Sequence, residues 1–363
     1  MSALAAEHNA VNLGQGFPDF MCEPDLLKYV NEAIQKGFNQ YAPMPGLLSL
    51  REQIAEKAND LYGAQFNPAT EVTITAGGTE AIYSAITAVI NKGDEVIIFE
   101  PAYDCYAPAV ELSGGIPIYI SLEPPLYKIP WDQVKACITP RTKMIMLNTP
   151  HNPSGTILSE QEMKQLEIIT SNTNIILLSD EVYEHIIFDG KKHESVLKYP
   201  ALAERSFVIY SFGKTYHNTG WKMGYCLAPE ILMNEFRKVH QYIVFSANTS
   251  LQHAFAEIMK QKDLYLQLGK FYEEKRNYFL ELIRNSRFRF TPSSGSYFQL
   301  LDYSAITDEK DTDFAIRLVK EFKIASVPMS VFYHNQNDFN QLRFCFAKQN
   351  STLEKAAECL VKI

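Results

Sequence analysis

The chain has few cysteines and no cysteine pair at the spacing of a metal site. Its 363 residues include six cysteines and eight histidines, and neither a C-x-x-C nor an H-E-x-x-H pattern occurs. Zinc sites and disulfide frameworks need such clusters. We therefore expect reduced thiols and no bound metal. The cysteines are Cys22, Cys105, Cys137, Cys226, Cys345 and Cys359.

The chain also lacks a long apolar run and an excess of basic residues. No segment approaches the ~18 consecutive apolar residues of a membrane span. The N-terminal stretch MSALAAEHNAVNLGQG has no basic region followed by an apolar one, so no secretory signal is predicted and a cytoplasmic location away from membranes is expected. The formal net charge of −8 argues against a nucleic-acid partner, which needs a basic face.

What the chain does contain is an alternation of short β-rich runs and helical patterns, which predicts an α/β fold. In residues 79–93 apolar side chains recur at helical spacing, and a second helix is predicted at 103–113. The intervening runs are almost continuously apolar, as is typical of strands covered on both faces. Strands alternating with helices indicate a mainly parallel, doubly wound sheet. The predicted strands are 71–75, 95–99, 116–121, 143–148, 174–179 and 206–211.

The pattern changes after residue 275, where short strands alternate around the helical stretch DTDFAIRLVKEF. No linker or internal repeat divides the chain. We predict a large domain at 41–275 and a smaller α+β domain formed by 1–40 and 276–363.

Polar residues follow the ends of four predicted strands, where ligands bind in doubly wound folds. The Gly pair of TAGGTEA (75–81) leads into a helix and offers free N–H groups to a phosphate, although such a turn is also common punctuation. The polar residues at the strand ends are Gly77, Gly78, Thr79, Asn152, Asp180, Ser211 and Lys214.

The segment SFGKTYHNTGWKMGY (211–225) places two lysines among apolar and aromatic residues. Lysines at this spacing alone indicate a solvated surface, but idle lysines directly after an apolar strand would be costly to desolvate. Lys214 or Lys222 could form an imine with an aldehyde while the other neutralises phosphate charge.

Two further segments carry groups suited to an aromatic, phosphorylated ligand. In SDEVYEH (179–185), Asp180 could hold a protonated ring nitrogen and Tyr183 a ring oxygen; the alternative is a helix cap followed by a half-buried tyrosine. In NTPHNPSG (148–155), Asn152 either forms a turn or points into the cleft. Arg343, in the apolar run LRFCFA, could clamp a carboxylate or form a salt bridge between elements. Together these groups meet the requirements of pyridoxal phosphate with an amino-acid substrate.

The chain resembles, over nearly its whole length, the class I/II aminotransferases of pyridoxal-phosphate fold type I. Within them it looks most like the branch of kynurenine aminotransferases (glutamine transaminase K) and bacterial methionine aminotransferases, and the PHNPS and SFGKTYH variants favour the methionine group. The segments that carry the resemblance are VNLGQGFPDF (11–20), NQYAPMPG (39–46), TAGGTEA (75–81), LNTPHNPSG (147–155), SDEVYEH (179–185), SFGKTYHNTGWKMGYC (211–226), VHQYIVFSANT (239–249) and LRFCFAK (342–348).

The resemblance implies a role for each matching position. Lys214 would carry the cofactor as a Schiff base and shuttle a proton, and Asp180 would pair with the pyridine nitrogen. The remaining roles are these: Tyr183 and Asn152 on the ring's 3-oxygen; Gly77, Gly78, Thr79, Ser211 and Lys222 around the phosphate; Tyr103 stacked on the ring; Arg343, Asn152 and Gly16 on the substrate carboxylate; Tyr41 in the neighbouring subunit's site.

The implied reaction is a ping-pong exchange of an amino group between an amino acid and a 2-oxo acid in a homodimer. Phe17, Tyr41, Tyr103 and Phe245 suggest an apolar or aromatic pocket for methionine, phenylalanine, tyrosine or kynurenine. The alternatives are a cysteine-S-conjugate β-lyase on the same scaffold and, more remotely, a non-catalytic pyridoxal-phosphate-binding regulator. A nicotinamide dehydrogenase is disfavoured because no G-x-G-x-x-G follows the first strand.

Two features depart from the wider family. Many distant relatives have arginine where Lys222 stands, whereas lysine is common in this branch. Relatives usually carry a longer segment before the VNLGQG motif, which lines the substrate pocket, so a less closed pocket is expected here.

Overall fold

The computed structural model describes all of residues 1–363, and its strands form three sheets. The strands are β1 (Val11–Asn12), β2 (Val72–Thr75), β3 (Glu95–Glu100), β4 (Ile116–Ser121), β5 (Thr142–Asn148), β6 (Ile176–Asp180), β7 (Ser206–Ser211), β8 (Gly224–Leu227), β9 (Phe298–Asp302), β10 (Ile324–Ala325), β11 (Val327–Pro328) and β12 (Gln341–Cys345).

The α-helices lie mainly between the strands, as expected for a doubly wound fold. They are α1 (Ser2–Glu7), α2 (Pro24–Gln35), α3 (Leu48–Tyr62), α4 (Gly78–Val89), α5 (Tyr106–Leu112), α6 (Trp131–Cys137), α7 (Glu160–Thr170), α8 (Pro200–Ala203), α9 (Phe212–Thr215), α10 (Glu230–Ile243), α11 (Thr249–Ile258), α12 (Asp263–Leu266), α13 (Leu268–Ile283), α14 (Asp311–Phe322) and α15 (Asn350–Leu360). None of them combines the length and apolar character needed to span a bilayer.

The main sheet has seven strands in the order β2-β8-β7-β6-β5-β3-β4. All pairs from β7 to β4 are parallel, and only β8 runs antiparallel to its neighbours β2 and β7. The predicted α/β class with a mainly parallel sheet is therefore confirmed. Strand β8 was not predicted, because four residues after a glycine-rich loop give too short a pattern.

Both faces of the main sheet are covered, as the continuous apolar runs predict. In β5, Ile145 and Leu147 pack into one hydrophobic core, while Met144 and Met146 pack into the core on the opposite face. Successive side chains of a strand point to opposite faces, so a strand buried on both sides has no polar positions to spare. The helices on the two faces leave only the ends of the strands open.

The remaining strands build a separate region around a third core. Strands β11, β12 and β9 form an antiparallel sheet, and β1 pairs in parallel with β10, so that residues 11–12 join residues 324–325. Helix α2 instead packs on α11, and its Leu26 belongs to a core of the main sheet. The domain boundaries at residues 40 and 275 stay a prediction.

Candidate active site

A cavity of about 670 Å³ lies beyond the carboxyl ends of β6 and β7, between the main sheet and the sheet that contains β12. Most of the residues singled out in the sequence line it. They are Gly16, Gly77, Gly78, Thr79, Tyr103, Asn152, Asp180, Tyr183, Ser211, Lys214, Lys222 and Arg343. Strand ends thus bring together side chains that are more than 300 positions apart in the chain.

One wall of the cavity is the start of α4. Gly77 precedes the helix with a φ of +87°, a left-handed conformation that favours glycine. The first N–H groups of a helix have no partner within it, and here they belong to Gly78 and Thr79 at the cavity. The Lys222 side chain runs over Gly77, since a β-carbon there would lie 3.6 Å from Lys222 Cε. Free N–H groups beside an ammonium group can bind a phosphate.

The glycine turn is held from below by strand β8. Gly224, its first residue, packs so closely that a β-carbon would lie 3.0 Å from the Gly77 carbonyl carbon and 2.7 Å from the Tyr210 carbonyl oxygen. Strand β8, which was not predicted, therefore fixes the position of the Gly77 turn relative to the sheet.

Asp180, the last residue of β6, is buried and faces the cavity. Its Oδ2 accepts a hydrogen bond of 2.6 Å from the Tyr106 hydroxyl, and its Oδ1 accepts one of 3.3 Å from the Val182 N–H. Burial raises the pKa of Asp180 to about 6, against the opposing effects of these hydrogen bonds and the Lys214 charge. At neutral pH the group is an anion with few partners, suited to a cationic ligand.

Lys214 lies in α9, one turn after β7 ends. Its Nζ donates to the Tyr297 hydroxyl at 2.8 Å and lies 3.5 Å from the Gly16 carbonyl oxygen. Burial lowers the pKa of Lys214 to about 8, far below the ordinary lysine value. About one tenth of the amine is therefore neutral and nucleophilic at pH 7, far more than for an ordinary lysine. The Tyr183 ring is also buried, with its centre 5.3 Å from Nζ.

Arg343, in β12, is buried at the far side of the cavity and forms no salt bridge. Its Nη1 donates to Asn152 Oδ1 at 2.6 Å and its Nη2 to the Gly14 carbonyl at 3.2 Å. Its Nε has no hydrogen-bond partner at all. The guanidinium stacks on Phe298, with the ring centre 4.0 Å away. A guanidinium that lines the cavity and has no carboxylate partner in the protein is suited to bind an anion.

Some residues of the site were missed in the sequence. Tyr297 contacts Lys214, and Tyr106 contacts Asp180. Phe298 and Phe332 also line the cavity. Tyr106 belongs to the same PAYDCY motif as Tyr103, whose hydroxyl is 3.4 Å from Thr79 Oγ1.

Of the aromatic residues expected in the pocket, only Tyr103 lines the cavity of the single chain. Tyr41 is 82% exposed and packs edge-on against Phe245, itself 43% exposed. The Phe17 carbonyl accepts a hydrogen bond from the buried Lys348. Tyr41 and Phe245 therefore form an aromatic surface outside the cavity.

Comparison with known proteins gives a consistent result. The family model described as aminotransferase class I and II matches residues 8–360. A methionine aminotransferase of Escherichia coli is 46% identical over 361 residues, covering 99% of this chain and 94% of the relative. A kynurenine–oxoglutarate transaminase of Dictyostelium discoideum is 34% identical, covering 100% and 92%. A crystal structure from Escherichia coli, described with a methionine aminotransferase function, superposes with a TM-score of 0.98 at 46% identity and covers 100% of this chain and 96% of its own.

Proposed function

The chain belongs to the class I and II aminotransferases and has fold type I of the pyridoxal-phosphate enzymes, and from this premise we propose that it transfers the amino group of methionine, or of a similar apolar, sulfur-containing or aromatic amino acid, to a 2-oxo acid, with pyridoxal phosphate bound at Lys214. The observation that carries the proposal is one cavity that combines a partly neutral lysine, a buried carboxylate and an arginine without a carboxylate partner.

The residues at the main-sheet side fit the cofactor. The turn at Gly77 and the start of α4 leave room and N–H groups for the phosphate, with Thr79, Ser211 and Lys222 around it. Asp180 would face the pyridine nitrogen, and Tyr183 and Asn152 the ring's 3-oxygen. When bound, the cofactor supplies an aldehyde that bonds to an amine and a ring that withdraws electrons from the substrate's α-carbon.

The residues at the β12 side fit the α-carboxylate of an amino acid. Arg343 has no carboxylate partner within the protein, and Asn152 and the Gly14 carbonyl hold its guanidinium in place, so the cation is already positioned for an incoming carboxylate. The position of this contact fixes the α-carbon relative to Lys214. Lys214 then removes the proton from the α-carbon as a general base and delivers it as a general acid, for which a pKa near 8 is well matched.

The rest of the cavity favours an apolar side chain on the substrate. Phe298, Phe332, Val331 and Ile82 line it, and the cationic side chains along its wall are Lys214, Lys222 and Arg343 alone. With the lysines at the cofactor and Arg343 at the α-carboxylate, this chain leaves no cationic side chain of its own along the cavity for a second carboxylate. This supports methionine or an aromatic amino acid over aspartate.

We propose that the enzyme is a homodimer with shared active sites. Tyr41 and Phe245 form an exposed aromatic surface. It adjoins Ala42, whose N–H donates to the Thr249 hydroxyl and so fixes the segment before α3. Large exposed aromatic side chains in contact with one another are typical of an interface. Analytical ultracentrifugation of wild type and Tyr41→Ser tests the assembly; a wild type that sediments as a monomer at micromolar concentration would contradict it.

The experiment that tests the function is the visible spectrum of the purified protein mixed with pyridoxal phosphate. We expect a band of lysine-bound cofactor that disappears when L-methionine is added without any oxo acid, and that returns with a 2-oxo acid. Lys214→Ala should show no such band. Arg343→Ala should keep the band but need about 100-fold more methionine, because a charge-assisted hydrogen-bonded pair is lost.

Matched additions separate the alternatives. D-methionine and L-aspartate should leave the band largely unchanged at concentrations at which L-methionine removes it. If an S-substituted cysteine instead yields ammonia and pyruvate faster than L-methionine transfers its amino group, the enzyme is a β-lyase. A protein that binds the cofactor with no visible band would refute the role of Lys214.

A further inference from the structure

The ε-amino group of Lys214 has a defined position in the structure, set by one side chain. Its Nζ lies 2.8 Å from the Tyr297 hydroxyl oxygen and 3.5 Å from the Gly16 carbonyl oxygen. The Tyr297 hydroxyl in turn lies 2.6 Å from the same carbonyl oxygen. A carbonyl can only accept, so the tyrosine proton points to Gly16 and the tyrosine lone pairs face Lys214. Tyr297 is therefore an acceptor for the lysine.

The hydroxyl is held rigidly in this position. Tyr297 is completely buried, and its ring packs edge-on against Tyr183 and Phe298, with ring centres 5.0 Å apart in both cases. Gly16 approaches the same cluster so closely that a β-carbon would lie 2.6 Å from Phe298 Cζ. Neither partner can move away without disturbing the packing around it.

No carboxylate takes over this function. Lys214 forms no salt bridge, and Asp180 is engaged by Tyr106 and the Val182 N–H. An ammonium group in a partly buried cavity needs an acceptor, and the Tyr297 oxygen is the nearest one. The three segments that meet here come from α9, from the residue before β9 and from the loop after β1.

We propose that the Tyr297 hydroxyl is the docking point of the Lys214 amine whenever that nitrogen is not bonded to the cofactor, and that it orients the amine towards the cavity for proton transfer. The role of the amine in the reaction rests on the proposed function, but the contact itself does not. Removal of the hydroxyl should leave the amine without its main acceptor, so the charged form becomes less favourable and the pKa of Lys214 falls further.

The test uses Tyr297→Phe, which removes one oxygen and keeps the ring. In the cofactor-free protein, the rate at which trinitrobenzenesulfonate modifies Lys214 is measured against pH by mass spectrometry of its peptide. We expect the midpoint of Tyr297→Phe to lie about one pH unit below that of the wild type, because a hydrogen bond to a charged group is lost. An unchanged midpoint would overturn the proposal.

Tyr303→Phe is the matched control. Tyr303 is also completely buried in the same core, and its hydroxyl donates to a backbone carbonyl, that of Glu309, at 2.9 Å. It does not line the cavity. Its loss should leave the Lys214 midpoint at the wild-type value; a shift equal to that of Tyr297→Phe would show a general effect of core weakening and overturn the proposal.

A second readout uses the holoenzyme. Tyr297→Phe should lower kcat by about tenfold with little change in KM. In the dependence of kcat on pH, the limb that reports Lys214 should move in the same direction as the modification midpoint. If Tyr297→Phe does not fold, 3-fluorotyrosine at position 297 keeps the ring and hydroxyl but is a weaker acceptor. It should shift the midpoint by a smaller amount, and no shift would overturn the proposal.

The two proposals can fail separately. If the wild type shows no band of lysine-bound cofactor but the Lys214 modification midpoint differs between wild type and Tyr297→Phe, the proposed function is contradicted and the Tyr297–Lys214 contact is supported. A wild type with a normal band and transamination, but with a midpoint independent of Tyr297, keeps the function and overturns the inference.

Discussion

Two lysines of this chain, Lys57 buried in the core and Lys214 half-buried at the cavity, have opposite surroundings. Lys57, in α3, donates to the carboxylate of Glu184 and lies 2.9 Å from the Tyr225 hydroxyl, and Glu184 also accepts from Tyr62. Lys214 contacts no carboxylate and has a single side-chain partner, Tyr297. The charge of Lys57 is neutralised by a carboxylate of the protein, whereas the charge of Lys214 has no anionic partner.

The same contrast separates two neighbouring carboxylates. Glu181 accepts from Ser179, Tyr210 and the Val196 N–H on the side away from the cavity. Asp180, one residue earlier, points into the cavity with one phenol and one N–H. Alternation along the chain thus places the fully paired Glu181 behind the less fully paired Asp180. Paired polar groups stabilise the fold, and poorly paired groups are available to a ligand.

The largest expected effect is on activity, and it should be seen when Lys214 is replaced but not when Lys57 is. Lys214→Ala should lower transamination by about 10⁴-fold, because both the covalent attachment and the proton transfer are lost. Lys57→Met should retain activity within a few-fold in the folded fraction. Steady-state assays of both variants with methionine check this, and near-normal turnover in Lys214→Ala would contradict the assignment.

The next largest effect is on stability, and it should be seen when Lys57 is replaced. Lys57→Met should lower the free energy of unfolding by about 3–5 kcal/mol, since it leaves Glu184 buried without its cation. Urea unfolding of the cofactor-free protein measures this. The double variant Lys57→Met with Glu184→Gln should recover part of the loss, and a double variant less stable than the single one would show that the pair is not the cause.

A smaller effect of opposite sign is expected for Lys214 in the cofactor-free protein. Because the pKa of Lys214 is lowered to about 8 from an ordinary 10.5, folding disfavours its protonated form. Lys214→Met should therefore be more stable than the wild type by about 3 kcal/mol below pH 8. The advantage should shrink as the pH rises from 8 to 10.5 and be absent above that range. Urea unfolding at several pH values checks this, and a constant difference would refute the linkage.

The smallest effect concerns the proposed phosphate site at the start of α4. Thr79→Ala should weaken the affinity for pyridoxal phosphate by about 5–10-fold, as expected for one lost hydrogen bond. Ser84→Ala is the control, since Ser84 lies on the same helix but donates to Glu80 away from the cavity. Titration of the visible band with cofactor measures both, and equal losses would argue against a specific role of Thr79.

Much of the fold and of the cavity could be predicted because the relevant signals are local. Continuous apolar runs identified the strands β3 to β7, and a strand's last residue is at the ligand-binding edge wherever the sheet is parallel. Asp180 and Lys214 follow such strands directly. Their position in the cavity needed no knowledge of distant contacts, and their chemical roles stay predictions.

Tyr297 and Tyr106 could not be predicted in the same way. Tyr297 is 83 residues from Lys214 in the chain, within a segment that reads as an ordinary buried strand. Tyr106 begins a helix, and its contact with Asp180 depends on how α5 packs on the sheet. A phenol becomes part of a site through its tertiary neighbours, and these leave no periodic pattern.

The packing of Gly224 beneath Gly77 has an evolutionary consequence. Gly224 does not line the cavity, yet a β-carbon at this position would collide with the backbone of Tyr210 and of the turn at Gly77. In a library of all substitutions selected for growth on transamination, position 224 should be depleted as strongly as the residues that line the cavity. That depletion would mark a constraint one layer below the candidate active site, at a position where selection acts on the absence of a side chain.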